Sequence, residues 1–267
     1  AAASAAEPSA DVGRQSGSGD APPAAADPAR RSVARRPLQF LHIPKNAGTF
    51  VEDLGRANGA KWGRYLEGAF ENDADGNLIG DPYTQALSDG SNCTVYHTPV
   101  QLLGDGWNPY KGADVFCITR HPYERAVSEY SWLAEKEWAP PWIWRTRSQV
   151  LPACSARGMN LFLRRALAAY QRGMRYMMDC HFLPQAEYIW DKSGRRVCHH
   201  VFRLDENLTS NINALAEEKG YPVRMGSRQV ENEGDCQNLT AQDLSEATKM
   251  LLQEVYADDF RLLDYAA

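Results

Sequence analysis

The chain has 267 residues, with 29 Lys and Arg against 34 Asp and Glu and a formal net charge of −5. Apolar residues make up 43% and charged residues 24%, which excludes collagen-like, fully disordered and coiled-coil chains. A mildly acidic chain has no general attraction for nucleic acid, and no apolar run approaches the ~18 residues of a membrane span. We therefore expect neither nucleic acid nor membrane contact for this segment.

The N-terminal segment differs in composition from the rest of the chain. Residues 1–37 are mostly Ala, Pro, Ser, Gly, Asp and Arg and contain no aromatic side chain. Such a segment cannot bury enough apolar surface to offset the entropy lost on ordering. We predict a disordered linker or stem over 1–37 and one domain over 38–267.

The domain begins with a strand, a tight loop and a helix. Residues 38–43 form a short apolar run that Pro44 ends, which predicts a buried strand. After the loop, Phe50, Val51 and Leu54 follow at helical spacing, which predicts a helix. Residues 55–92 are rich in Gly, Asn and Asp and predict a long excursion.

The remaining pattern alternates strands with helices. Strands are predicted over 94–97, 113–119 and 197–203, and helices from Pro122 and near 159–172, 206–219 and 241–256. The almost wholly apolar run at 113–119 is typical of a central parallel strand. The sequence therefore predicts a single α/β domain with a central parallel sheet flanked by helices on both faces.

Cysteines and glycosylation sequons bear on the cellular compartment. Six cysteines are too few for a disulfide scaffold of this size. Cys117 lies in an apolar run and is predicted to be a buried small hydrophobe. Four others are candidates for pairing: Cys154, Cys180, Cys198 and Cys236. Three Asn-x-Thr sequons favour a secretory lumen, and their acceptors are Asn92, Asn207 and Asn238.

The loop after the first predicted strand suits an anion. Backbone N–H groups and the positive end of the following helix face such a loop. Gly48 allows close backbone approach, Lys45 adds a charge, and Thr49 adds a hydroxyl donor. It is not a Walker loop, because the Lys precedes the Gly. The candidate anion-binding residues are Pro44, Lys45, Asn46, Ala47, Gly48 and Thr49.

A second segment carries the residues of a phosphate clamp. Arg120 stands at the carboxyl end of the strand predicted over 113–119, where open α/β sheets bind ligands. Ser128 lies two turns into the following helix. A guanidinium fork with a nearby hydroxyl suits a phosphate group.

These two segments resemble the 5′-phosphosulfate loop and the 3′-phosphate motif of sulfotransferases that use 3′-phosphoadenosine 5′-phosphosulfate (PAPS). The two motifs are most similar to those of the carbohydrate branch, which includes heparan sulfate and uronyl 2-O-sulfotransferases. They read Phe-Leu-His-Ile-Pro-Lys-x-x-Gly-Thr and Arg-His-Pro-Tyr-Glu-Arg. The resemblance runs from about residue 38 to the C-terminus and includes echoes at 181–185, 203–208 and 256–265. Asn46 and Ala47 replace the commoner Thr-Gly or Thr-Ala, and 55–92 matches nothing in the family.

The resemblance implies a P-loop-like sulfotransferase fold and in-line sulfuryl transfer from PAPS to an acceptor hydroxyl, without a metal. Lys45 would stabilise the leaving phosphate, and His97, at a strand end between the two motifs, would be the base. The alternative for His97 is a polar strand end, with Glu52 and Glu129 as the next candidate bases. A comparable loop closes over the nucleotide in the family, and the resemblance implies that role for 224–235, with Arg228 as a further nucleotide contact.

The charge pattern bears on the acceptor. Residues 138–178 contain seven Arg and no Asp or Glu, and the candidate substrate-binding residues are Arg145, Arg147 and Arg164. Arg with nearby Trp suits an acidic sugar, and a solvated basic helix face is the alternative. We expect an acidic or neutral carbohydrate acceptor, and a Golgi-lumenal protein rather than a cytoplasmic one. Transfer to a small metabolite and a non-catalytic glycan-binding module remain open.

Metal binding is not expected from the sequence. Two Cys-His clusters, at 180–181 and 198–200, have a spacing that matches no usual zinc-ligand pattern. The acidic stretch at 71–76 imitates a calcium loop, but Pro82 stands where the last ligand should be.

Overall fold

The computed structural model describes residues 36–75, 77–103, 107–134, 153–204, 207–226, 236 and 238–267. Its strands are β1 (Leu38–Leu41), β2 (Glu71–Asn72), β3 (Leu78–Ile79), β4 (Thr84–Ala86), β5 (Asn92–Thr94), β6 (Asp114–Thr119) and β7 (His200–Arg203). Its helices are α1 (Gly48–Ala57), α2 (Pro122–Leu133), α3 (Ala156–Gln171), α4 (Ala186–Ile189), α5 (Leu208–Lys219), α6 (Glu246–Val255) and α7 (Ala257–Leu262). The predicted linker lies outside the described residues, except for its last two positions.

A parallel sheet of order β1–β6–β7 forms the centre of the domain. Phe40 pairs with Phe116, and Phe116 in turn pairs with His200. The middle strand, β6, is buried along nearly its whole length, as a parallel strand covered on both faces must be. The predicted α/β domain with a central parallel sheet is therefore confirmed.

Helices cover both faces of this sheet. Because side chains alternate along a strand, Phe40 packs with α1 and α5 on one face. Leu41 points to the opposite face and joins a larger core with α2, α3 and α6. The sheet thus fixes the starts of α1 and α2, which follow the carboxyl ends of β1 and β6 and carry the two predicted binding motifs.

The strand predicted over 94–97 is wrong. Only Asn92–Thr94 is extended, and it pairs antiparallel with β4 rather than joining the central sheet. Val95–His97 forms a turn of 3₁₀ helix instead. The backbone N–H of Thr94 donates to the Asp179 carboxylate, and that of Val95 donates to the Tyr83 carbonyl. These N–H groups are therefore not available to pair with a strand of the central sheet.

The helix predicted near 241–256 is divided into two elements. Ala241–Asp243 is a 3₁₀ turn, and α6 begins only at Glu246. The Ser245 hydroxyl accepts the Thr248 N–H and caps α6. A capping serine satisfies an N–H group that the first helical turn leaves without a partner.

Three disulfides join distant parts of the chain. The pairs are Cys93–Cys180, Cys117–Cys198 and Cys154–Cys236. The prediction that Cys117 is an unpaired hydrophobe is wrong: it is buried, but β7 lies beside β6 and brings Cys198 against it. Disulfides are compatible with a secreted or lumenal protein. Within the described ranges, no helix is both long and apolar enough to cross a membrane.

Candidate active site

The loop between β1 and α1 has the geometry of an anion site. Lys45 and Ala47 both adopt left-handed backbone conformations, with φ of 68° and 62°, and such alternation turns successive N–H groups toward one concave side. No side chain caps the N-terminus of α1, so its positive end faces the loop. A Cβ at Gly48 would lie 2.2 Å from His42 Nε2, so only glycine fits there. These features fit the phosphosulfate of PAPS.

The second motif lies at the end of β6. Arg120 is buried, and its Nε donates to Glu124 Oε2 at 3.4 Å. Burial lowers the pKa of Arg120, and the nearby Glu124 carboxylate opposes that effect. Ser128 lies two turns into α2 and is half-buried. Arg120 thus directly follows β6, and Ser128 lies on the helix that begins two residues later, as the sequence predicted.

A buried glutamine joins the two motifs. Gln185 Oε1 accepts from Asn46 Nδ2 at 2.8 Å and from the Arg120 backbone N–H at 2.9 Å. Its Nε2 donates to the Arg120 carbonyl at 2.9 Å and to Asp259 Oδ2 at 3.2 Å. The Asn46 side chain also donates to the Ile118 carbonyl. Asn46 therefore contributes through its side chain, and not only through its backbone, by linking the first loop to the second.

A buried arginine on α2 holds two loops together. Arg125 donates to the carbonyls of Pro44 at 3.1 Å, Leu183 at 2.9 Å and His181 at 2.7 Å. A guanidinium that donates to three carbonyls satisfies most of its own donors without any carboxylate. This contact fixes the first loop against the segment that carries His181.

Three histidine rings contact one another in a row beside these loops. The ring centroids of His42 and His97 lie 4.5 Å apart, and those of His97 and His181 lie 4.9 Å apart, both edge to face. Each ring uses Nδ1 to donate to a carboxylate. These pairs are His42 with Glu52 at 2.6 Å, His97 with Asp179 at 2.7 Å, and His181 with Glu129 at 2.8 Å.

His97 is neutral in this cluster. Burial and the neighbouring His42 and His181 lower its pKa, Asp179 opposes them, and the net value is about 3. Burial raises the pKa of Asp179, but the hydrogen bond and electrostatic effect of His97, the nearby His181 and the Thr94 N–H together lower it, so the net shift is downward. An ionised Asp179 holds the ring proton on Nδ1 and leaves Nε2 as a proton acceptor. The pKa of His97 therefore lies well below the ordinary value near 6.5.

The turn that carries Asp179 is conformationally unusual. Met178, Asp179 and Cys180 are all left-handed, with φ of 53°, 57° and 62°, and the left-handed form costs about 1–2 kcal/mol per residue. The Cys93–Cys180 disulfide and the bonds from Thr94 to Asp179 hold this turn. The turn places the Asp179 carboxylate against His97.

Lys45 lies at the same site as the histidines. Its Nζ is 4.7 Å from the centroid of the Trp132 ring. Trp132 in turn stacks on His181, with ring centroids 5.0 Å apart. Burial raises the pKa of Glu129, whereas His181 and the positive charge of Lys45 lower it, and the net shift is downward. One tryptophan ring therefore separates Lys45 from the histidine cluster.

Other candidate residues lie elsewhere or already have partners. Glu52 and Glu129 each accept a hydrogen bond from a histidine Nδ1, so both carboxylates belong to the histidine cluster. Arg164 lies on the exposed face of α3 and lines a shallow groove of about 400 Å³ with Leu161, Arg165, Ala168 and Arg172. Arg145, Arg147 and Arg228 lie outside the described residues. The sulfurs of the predicted Cys-His clusters are in disulfides, so they are not available as metal ligands.

Sequence reasoning did not assign roles to Asp179, His181, Gln185 or Arg125. The sequence of 181–185 indicates only a resemblance to the family, yet His181 and Gln185 are central to the site. Asp179 stands two residues before the 181–185 segment. This closeness in sequence is the signal that could have pointed to Asp179.

The site thus combines a parallel sheet, a turn with the geometry of an anion site after β1 and a histidine–carboxylate cluster beside that turn. Residues 110–266 match the model of the Sulfotransferase family, and the chain belongs to this family. The match includes Arg120, Ser128 and His181 but begins after Lys45 and His97. Membership supports sulfuryl transfer in general. No curated protein and no solved structure matches the chain.

Proposed function

We propose that the chain transfers a sulfuryl group from PAPS to a hydroxyl of a carbohydrate by in-line displacement. PAPS, when bound, supplies an activated sulfuryl group with a nucleotide phosphate as the leaving group. The observation that carries the proposal is that Lys45 and the Asp179–His97 pair belong to one site. A cation for the leaving phosphate and a base for the hydroxyl are the two groups that this transfer needs.

The donor would be held by the two strand-end motifs. The backbone of 44–49 and the Lys45 charge suit the phosphosulfate, and Arg120 with Ser128 suits the 3′-phosphate. Gln185 keeps the two motifs in a fixed relation through Asn46 and Arg120. Arg228 remains a predicted further contact.

The acceptor hydroxyl would be activated by His97. Neutral His97 takes the hydroxyl proton on Nε2, and the imidazolium that forms is stabilised by Asp179. Lys45 stabilises the charge that builds up on the departing phosphate.

An acidic sugar is the acceptor that charge favours. The groove on α3 is lined by Arg164, Arg165 and Arg172 and by no acidic residue of the described chain. Arginine forks bind carboxylate and sulfate groups through paired hydrogen bonds. Arg145 and Arg147 remain predicted contacts in the same basic segment.

The Golgi lumen is the compartment we propose. The three disulfides need an oxidising environment. The three sequon asparagines, Asn92, Asn207 and Asn238, are all exposed, as glycan attachment requires.

The experiment is to incubate the chain with labelled PAPS and a panel of desulfated polysaccharides, neutral glycans and small alcohols. Label transfer to a polysaccharide supports the proposal, and transfer to an alcohol alone refutes the carbohydrate acceptor. Calorimetry with 3′-phosphoadenosine 5′-phosphate tests the donor site separately. Absence of nucleotide binding would leave a glycan-binding module in its place. Asp258→Asn, at an exposed pair with Arg261, is the control variant.

A further inference from the structure

One nitrogen of the histidine cluster has no role in the proposed transfer. His181 is buried, and its Nδ1 is occupied by Glu129. Its Nε2 is also buried and has no hydrogen-bond partner. Burying an unpartnered polar nitrogen is unfavourable, so this ring is poised for a partner that the described residues do not supply. The partner must be small, because the nitrogen has almost no accessible surface.

A second observation identifies the neighbours of this nitrogen. The ligand atoms offered by His97, Asp179 and His181 all lie within 4.8 Å of one another. Zinc binds imidazole nitrogen at about 2.0–2.1 Å, so two ligands of one tetrahedral ion lie about 3.3 Å apart. Closing the observed spacing needs shifts of roughly an ångström. Two imidazoles and one carboxylate are a donor set that suits Zn²⁺ and related divalent ions.

The surroundings also resemble those of metal ligands. Metal-binding imidazoles commonly donate their second N–H to a carboxylate, which fixes the ring. Glu129 does this for His181 at 2.8 Å, which leaves the buried His181 Nε2 as the ligand atom. Asp179 Oδ2 lies 2.7 Å from His97 Nδ1, so these two ligand atoms are adjacent. The Cys93–Cys180 disulfide ties the two ligand-bearing segments together, so the ligands need little reorganisation on binding an ion.

We propose that His97, Asp179 and His181 form a binding site for a divalent transition-metal ion of the Zn²⁺ class, and that this ion inhibits the enzyme. An ion held between His97 Nδ1 and Asp179 replaces the hydrogen bond that joins them, and the ring proton moves to Nε2. A protonated Nε2 cannot take the hydroxyl proton, so the base is lost. The metal is thus an inhibitor and not a cofactor, in keeping with a transfer that itself needs none. The inhibitory half of this proposal rests on the proposed function, whereas the binding half does not.

The test starts with metal-free wild-type protein, titrated with Zn²⁺ by calorimetry and with Co²⁺ by visible absorption. We expect one saturable site and a tetrahedral Co²⁺ spectrum. His181→Ala should weaken Zn²⁺ binding at least about tenfold, the scale of lost metal-site support. His121→Ala is the control, because that ring contacts Phe260 and the C-terminal segment instead. Glu129→Gln, which keeps the His181 ring, provides a second variant if His181→Ala does not fold.

Two outcomes overturn the metal site: the absence of saturable binding to the wild type, or equal Zn²⁺ affinity of His181→Ala, Glu129→Gln and the wild type. Titration with 3′-phosphoadenosine 5′-phosphate distinguishes this failure from failure of the proposed function. Nucleotide binding without Zn²⁺ binding refutes the metal site alone. Zn²⁺ binding without any sulfuryl transfer retains the metal site and refutes the transfer. Active enzyme that stays fully active with Zn²⁺ bound refutes the inhibition.

Discussion

Replacing Asp179 by Asn is the sharpest test of the catalytic arrangement. The carboxylate accepts the Nδ1–H of His97 at 2.7 Å and also holds the backbone and hydroxyl of Thr94. Asparagine keeps the shape and an acceptor oxygen for Thr94, but it removes the negative charge. Its amide N–H also favours the tautomer with the proton on Nε2, which cannot accept a proton from the acceptor.

The expected loss follows from these contacts. Losing a general base costs about 10²–10⁴ in kcat, which corresponds to about 3–5 kcal/mol at 1.36 kcal/mol per decade. The same substitution behind the histidine of a serine-protease triad costs about 10⁴. Nucleotide affinity should stay unchanged, because the side-chain hydrogen bonds of Asp179 go to His97 and Thr94 and to neither predicted nucleotide motif.

The assay compares kcat for label transfer and the Kd for 3′-phosphoadenosine 5′-phosphate in Asp179→Asn and in the control Asp258→Asn. Turnover within a factor of two of the wild type in Asp179→Asn would refute the role of the pair. A parallel loss of nucleotide affinity would show instead that the site has distorted as a whole.

Four further predictions follow from the site. Gln185→Ala leaves buried polar groups of both loops unpaired and should destabilise the fold by about 2–4 kcal/mol in urea unfolding, with exposed Gln171→Ala as the control. Acid should destabilise the fold, because folded His97 has a pKa lowered to about 3 while the unfolded side chain titrates at about 6.5. The contribution of neutral His97 to the free energy of unfolding is complete above the unfolded pKa and is lost as the pH falls toward 3. The free energy of unfolding of His97→Asn should therefore depend less steeply on pH. Lys45→Ala should lower kcat and nucleotide affinity together, whereas His97→Ala should lower kcat alone; calorimetry that finds equal nucleotide affinities contradicts this. Added salt should raise the KM for a polysaccharide acceptor more than the KM for PAPS, and steady-state kinetics at two ionic strengths checks it.

The elements that were predictable from the sequence are those with a local signal. β1 and β6 are apolar runs closed by a loop residue, and α2 begins at Pro122, where a helix tolerates proline. The 3₁₀ turn at Val95–His97 was not predictable, because its apolar residues fit a strand equally well. Only a partner 85 positions away, Asp179, takes the backbone donor of Thr94.

The same limit applies to the site. Lys45 lies in a loop marked by Gly48, and Arg120 directly follows an apolar run that predicts a strand. Both residues can therefore be found from the local sequence. Asp179 reaches His97 across 82 positions, and Gln185 reaches Asn46 across 139. No local pattern encodes such contacts, which arise only when β1, β6 and the segment before α4 come together.

The Cys93–Cys180 bond also bears on how the protein is best prepared. It closes a separation of 87 residues, and a loop of that size corresponds to about 4.6 kcal/mol in the chain-entropy account of disulfides. Protein made in a reducing bacterial cytosol would lack this bond, and the left-handed turn at 178–180 would lose its covalent tie. If the proposed function holds, we expect such a preparation to lose activity through the displaced Asp179 more than it loses nucleotide binding. Recombinant material for the assays above should therefore come from an oxidising expression host, with free thiols counted before any rate is measured.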